Sequence, residues 1–173
     1  MSRLARSLNR VIKVQPTMTA DDNADNDVAF DWTSFTLGHE LGVGAILQSV
    51  VILNGYDTAD VIELVFCRGG DSSGTAPTSA QGLIGGAGTG SAAVDITQAE
   101  TQAIEICGNV NIVAGDYAEG DLLTSLIATK SNIGLVLSPR SLSKVLYIGG
   151  IWRSEPASMS ETGLLDIYLG FEG

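Results

Sequence analysis

The chain has 173 residues, 9 Lys and Arg against 20 Asp and Glu for a net charge of −11, and 21 glycines. That length fits one domain, and a hydrophobic content of 45% supplies a real core, which excludes wholesale disorder. Two cysteines exclude a disulfide scaffold, and a single histidine excludes a His-rich metal centre.

The cations are unevenly placed. Arg3, Arg6, Arg10 and Lys13 fall in the first thirteen positions, so from Val14 onward five cations face all twenty acids. A body of that sign repels phosphates and anionic headgroups, so neither nucleic acid nor a membrane is expected as a partner. Arg3, Arg6 and Arg10 stand at helical spacing beside Leu4, Leu8, Val11 and Ile12, ahead of an aspartate-rich stretch from Asp21 to Asp31. The pattern suits a docking arm that orders on an acidic partner; a frayed terminus is the alternative. Its candidate contacts are Arg3, Arg6, Leu8, Arg10, Val11 and Lys13. Residues 1–27 thus read as a basic arm and acidic linker, and 28–173 as the folded domain. No apolar segment follows the arm as a secretory leader requires. The longest strongly apolar run, 43–53, is interrupted by Gly44, Gln48 and Ser49 and is too short to span a bilayer as a helix.

Short runs rich in Val, Ile, Leu and aromatics then recur between turn signals, the pattern of an all-β sandwich or barrel. Val28, Phe30 and Trp32 alternate with polar or small residues, and Phe35 and Leu37 resume the pattern after a one-residue offset that signals a bulge. The run 43–53 ends at Asn54-Gly55, a strong hairpin signal before 61–67, where Ile62, Leu64 and Phe66 face a core and Glu63 faces water. Residues 69–91 are dense in Gly, Ser, Thr and Ala and read as a long loop. Thr97 with Glu100 forms a capping box for a turn of helix leading into a strand through Gln102, Ile104 and Ile106. Further strands are expected at 109–114, 122–129, 133–137, 145–152 and 164–171. No fixed repeat period is present, which argues against a solenoid or propeller.

Catalytic motifs fail one by one. Gly70-Asp71-Ser72-Ser73-Gly74 matches a nucleophile elbow, but the only histidine, His39, precedes the serine. The order His39, Asp57 or Asp60, Ser72 mimics a serine-protease triad, yet the spacing leaves no room for two barrels. The glycines from Gly85 to Gly90 have phosphate-loop spacing, but Ser91 and Ala92 stand where Lys and Ser or Thr belong. Asp21, Asn23 and Asp25 are spaced like calcium ligands, but Trp32 replaces the bidentate glutamate; irregular calcium binding and a solvated turn both fit this patch. No enzymatic activity, cofactor or metal is expected. Cys67 and Cys107 are expected as buried free thiols, with pairing across a sheet as the alternative.

The ordering of these segments resembles the small head decoration, or cement, proteins of tailed bacteriophages. The likeness lies in an arm followed by Val28-Ala29-Phe30-Asp31-Trp32-Thr33-Ser34-Phe35, then Ser49-Val50-Val51-Ile52-Leu53-Asn54-Gly55-Tyr56, a Gly/Ser-rich central loop, and a final run ending almost at the last residue. It implies a jelly-roll-like β-sandwich with an extended N-terminal arm and at most one short helix. It further implies a structural virion protein, made in the host cytoplasm, that sits on the capsid surface as a homotrimer and bridges neighbouring copies of the major capsid protein. A carbohydrate-binding sandwich module of a phage fibre or cell surface is the alternative. Its weakness is that Trp32 and Trp152 sit inside apolar runs, which bury them more naturally than they expose them as sugar platforms.

Overall fold

A computed structural model describes residues 10–18, 27–38, 41, 44–55, 59–69, 77, 105–119, 126–140, 144–154 and 165–172. Among these residues nine strands lie in two antiparallel sheets: β1 (Arg10–Val14), β2 (Val28–Thr36), β3 (Ala45–Asn54), β4 (Ile62–Cys67), β5 (Ile106–Ile112), β6 (Tyr117–Glu119), β7 (Leu126–Leu137), β8 (Val145–Trp152) and β9 (Leu165–Glu172). One 3-10 turn, Ala114–Asp116, precedes β6. The first sheet runs β1-β9-β3-β7-β6 and the second β2-β8-β4-β5. Apart from β6, which adds a small hairpin to β7, this order winds one long antiparallel ribbon around itself, so the chain is a jelly-roll β-sandwich.

The core lies between the sheets. Phe30, Phe66, Trp152, Leu47, Ile52, Leu64 and Ile112 are all less than 2% exposed, and Phe35 meets Phe66 edge-on at 6.4 Å and stacks beside Phe171 at 6.3 Å. The sheets differ in what lies behind them. In the first, β9 alternates buried and half-exposed positions along Leu165–Glu172, the mark of one buried face. In the second, β4 and β8 are buried on both faces: Val28, Val65 and Ile151 form one outer cluster, and Cys67 and Tyr147 another, with Trp32 packed against both.

Several sequence expectations change here. Arg10–Val14 is an edge strand paired with β9 from Arg10 opposite Phe171 to Val14 opposite Ile167, so this part of the expected arm is already ordered. The helical spacing of its cations is overridden by the alternation of Ile12 and Val14, which turn inward, with Val11 and Lys13, which turn out. Asn54-Gly55 does not make a hairpin, because β3 and β4 belong to different sheets and residues 55–61 cross between them. Asn54 is 1% exposed and its side chain faces Asp60, also buried, with Nδ2 3.5 Å from Oδ2. The offset in β2 is real but double: register shifts fall between Val28 and Phe30 and again between Phe30 and Thr33. They put Phe30 in the core while Val28 and Trp32 turn to the outer face. The runs expected at 122–129 and 133–137 are one strand, β7, interrupted where Asn132, Ile133 and Gly134 stand opposite Gln48 alone. Asn132 (φ 58°) and Gly134 (φ 69°) adopt the left-handed conformation that makes this bulge, and Ile133 and Leu135 fold over the flank of the core. The strand expected through Ile104 begins at Ile106 and continues into the run at 109–114.

Both thiols are free, as the sequence suggests. Burial pushes Cys67 up to about 12, and raises the half-buried Cys107 as well. At pH 8 a thiol reagent is therefore expected to reach Cys107 first and Cys67 only on unfolding. Two thiols modified at equal rates in the folded protein would contradict this burial order.

Candidate interaction surface

The outward side of the first sheet carries the residues of greatest functional interest. Register fixes which they are: Val11 and Lys13 on β1, Asp166, Tyr168, Gly170 and Glu172 on β9, Ile46, Val51 and Leu53 on β3, and Ile127, Thr129, Ser131 and Val136 on β7. Val11 is 65% exposed, Val136 63% and Ile46 38%, while Val51, Leu53, Ile127 and Tyr168 are half-buried. Ile46 pairs directly with Val136 on one side and Glu172 on the other, and Val11 pairs with Gly170 one row along. Exposed apolar side chains therefore stand on three of the strands, β1, β3 and β7, near one end of the sheet.

A groove of ≈ 310 Å³ interrupts that row. Its floor is Gly170 together with the β3 irregularity at Gln48 and Ser49, and Arg10, Val11, Phe171 and Glu172 complete its walls. The missing side chain at Gly170 is what opens it, because a Cβ there would collide with Ser49 Oγ. Polar groups of the face are held in place: at the groove Gln48 Nε2 donates to Glu172 Oε2 at 3.0 Å, and farther along the face Lys13 Nζ lies 2.8 Å from Asp166 Oδ2 and 5.7 Å from the centre of the Tyr168 ring. Gln15 Nε2 donates to the other Asp166 oxygen at 2.7 Å. The hydrogen bond between them raises Lys13 and lowers Asp166 relative to their ordinary ranges. On the half of the face built by β3 and β7, Ile46, Val51, Leu53, Ile127, Thr129, Ser131 and Val136 carry no charge.

Of the six arm contacts expected from sequence, Arg3, Arg6 and Leu8 lie outside the described residues. Arg10, Val11 and Lys13 are brought together on β1, two of them on the groove. Sequence reading missed the partners that β3, β7 and β9 supply to this face; the alternation Leu165–Glu172 was the signal that could have found one of those strands. Among the catalytic readings, His39, Asp57, Ser72 and the glycines from Gly85 to Gly90 lie outside the described residues, as do Asp21, Asn23 and Asp25.

Charge is polarised along the sandwich. Among the described residues, Asp27, Asp60, Asp116 and Glu119 stand at one end of the strands with Arg153. Arg10, Arg68, Arg140 and Lys144 stand at the opposite end with Glu105 and Glu172. At that end Glu105 takes Arg68 at 2.8 Å and also Arg140, and the amides of Arg68 and Glu105 reach the carbonyls of Glu105 and Gly69 at 3.0 and 3.1 Å. These contacts tie together the two feet of the β4–β5 connection.

The hydrogen bond from Arg140, with both guanidinium charges, lowers Glu105. At Asp116, burial pushes upward but is outweighed by the Val113 amide and Lys130. A carboxyl lowered on folding stabilises the protein above its unfolded value and loses that contribution as pH falls through its folded value. Glu105, Asp116 and Asp166 start from 4.5, 3.8 and 3.8, so the melting temperature is expected to hold from neutral pH to about 5 and to decline below about 4. Asp31, raised mainly by burial, works with the opposite sign and offsets part of that fall. Glu105→Gln is expected to flatten the decline modestly, since the carboxylate and its arginines are partly solvated. An unchanged profile in that variant would remove Glu105 from the explanation.

No protein-family model and no curated protein sequence matches the chain. Among solved structures it is similar to a chain of the Israeli acute paralysis virus full particle heated to 63 degrees, with 12% identity, 96% of this chain and 71% of that chain covered, and a TM-score of 0.29. It is also similar to a chain of Desmodium yellow mottle tymovirus, with 13% identity, 99% and 85% covered, and a TM-score of 0.25. The jelly-roll assignment rests on the strand register and not on these likenesses.

Proposed function

We propose that the protein is a structural component of a virus particle, a decoration or cement protein that docks on the outer surface of a tailed-phage capsid and bridges neighbouring subunits of the major capsid protein. The observation that carries the reading is the jelly roll itself, an architecture used by shell proteins, combined with its polarity. Among the described residues the cations Arg10, Arg68, Arg140 and Lys144 gather at one end and the acids Asp27, Asp60, Asp116 and Glu119 at the other. In this reading Arg3, Arg6, Leu8 and Arg10 meet the shell, and the acidic end points to solvent, where its charge keeps particles apart. The protein works by contact and not by catalysis, and needs no cofactor. The carbohydrate alternative gains no support, because Trp152 is 1% exposed and Trp32 packs against Val28, Val65 and Ile151.

The test is sedimentation of the purified full-length chain with purified phage particles, followed by mass spectrometry of the pellet. Co-sedimentation at a fixed ratio to the major capsid protein is expected, and weaker binding once residues 2–9 are removed. Absence from the pellet at every concentration would overturn the reading.

A further inference from the structure

We propose that the outer face of the first sheet is a self-association surface, on which a second copy of this chain packs face to face about a two-fold axis. Of the five large apolar side chains exposed among the described residues, Val11, Ile46 and Val136 share this face, whereas Ile106 and Val113 lie on and just beyond β5. The corresponding face of the second sheet is already buried along β8 and most of β4, and is exposed along β5, where Ile106 stands beside the polar Asn109 and Asn111. A sheet face covered on one side and apolar on the other is completed by a second sheet about 10 Å away, the spacing of any β-sandwich.

The area is sufficient. Strands about 4.8 Å apart and eight to ten residues long give the face dimensions of roughly 20 by 30 Å, on the order of 600 Å² per copy and 1,200 Å² for a pair, the lower end of a specific interface. Charge selects the occupant. The chain as a whole carries −11, so most encounters between copies bring acids against acids. On this face Lys13 is matched by Asp166, Glu172 is engaged by Gln48, and the β3 and β7 half is uncharged. Glu172 leaves the face one net negative charge, far less than the chain as a whole, so a strongly charged partner finds little to hold while a second copy meets an apolar surface like its own. One face used by both copies closes at two. That number departs from the trimer which the family resemblance implies. The inference is independent of the virion reading, since a dimer that never binds a particle would leave it intact.

Light scattering of the full-length chain at micromolar concentration is expected to give twice the chain mass of 18.0 kDa. Val136→Asp and, separately, Val11→Asp place an unpaired charge in the interface at positions exposed in the single chain. Each is expected to raise the concentration for half-dissociation by about tenfold or more with the melting curve of the dissociated chain unchanged. Val113→Asp, exposed away from this face, is expected to leave the dimer as it is. A single-chain or three-chain mass would overturn the proposal, as would dimers indifferent to both face variants or equally sensitive to Val113→Asp.

Discussion

Valine in place of Gly150 is expected to destabilise the domain by about 3 kcal/mol or more, a fall of about 6–12 °C in melting temperature for a chain of this size. Gly150 lies in β8 opposite Phe30 of β2 and Leu64 of β4, on the inward side. A Cβ at that position would stand 2.6 Å from Cδ1 and 2.9 Å from Cζ of Phe30, with Cε1 closer still. The ring cannot retreat, since Phe30 is fully buried and its backbone is pinned between two register shifts. Phe30→Ala alone is expected to cost about 3–5 kcal/mol through the cavity it leaves. The double variant should cost less than the sum by at least about 1 kcal/mol, because the valine then occupies space the ring has vacated. Thermal unfolding of the three variants by circular dichroism measures the cycle. Strict additivity would show that ring and glycine do not share that space.

Truncation at the N-terminus is expected to split sharply at β1. Removing residues 2–9 should leave the melting temperature within about 2 °C of the full chain, since the whole described pairing of β1 with β9 is kept. Removing residues 2–14 takes away the pairing with β9, the buried Val14, the inward-facing Ile12 and the Lys13–Asp166 contact. At about 1.5–3 kcal/mol for each fully buried aliphatic side chain, a loss of several kcal/mol is expected. The deletion also bares the edge of β9, whose unpaired amides and carbonyls invite association with other chains. Aggregation on heating should accompany the lower melting temperature. If both truncations melt alike, β1 contributes nothing to the body and the segment is an arm throughout.

The sequence made the strand content readable because most strands are short apolar runs between glycines and polar turns. β8 was legible with its observed bounds, and β9 to within one residue. What escaped was the pairing. Asn54-Gly55 carries local hairpin chemistry, but β3 finds better partners in β7 and β9, and no local signal encodes that choice. β1 was hidden by its cations: five residues give too few periods to separate a strand from a helix, and the pairing with β9 joins residues more than 150 positions apart. The bulge in β7 hid its continuity, since Asn132 and Gly134 read as a break between strands. The face carrying Val11, Ile46 and Val136 could not be seen in advance because three strands distant in sequence assemble it.

The contrast between strands buried on one face and strands buried on both also sets how freely this protein can change over evolutionary time. Along β9, substitutions at Asp166, Tyr168 and Glu172 meet solvent or a partner, while those at Ile167, Leu169 and Phe171 meet the core, so tolerance should rise and fall with a period of two. Along β8, from Leu146 to Trp152, every second residue meets the core and the rest meet a packed outer layer, so tolerance should be low throughout. Saturation mutagenesis with selection for folded protein would show the two rhythms. Variation that retunes what the protein touches is thereby channelled onto one side of the sandwich, and the other side is left to hold the shape constant.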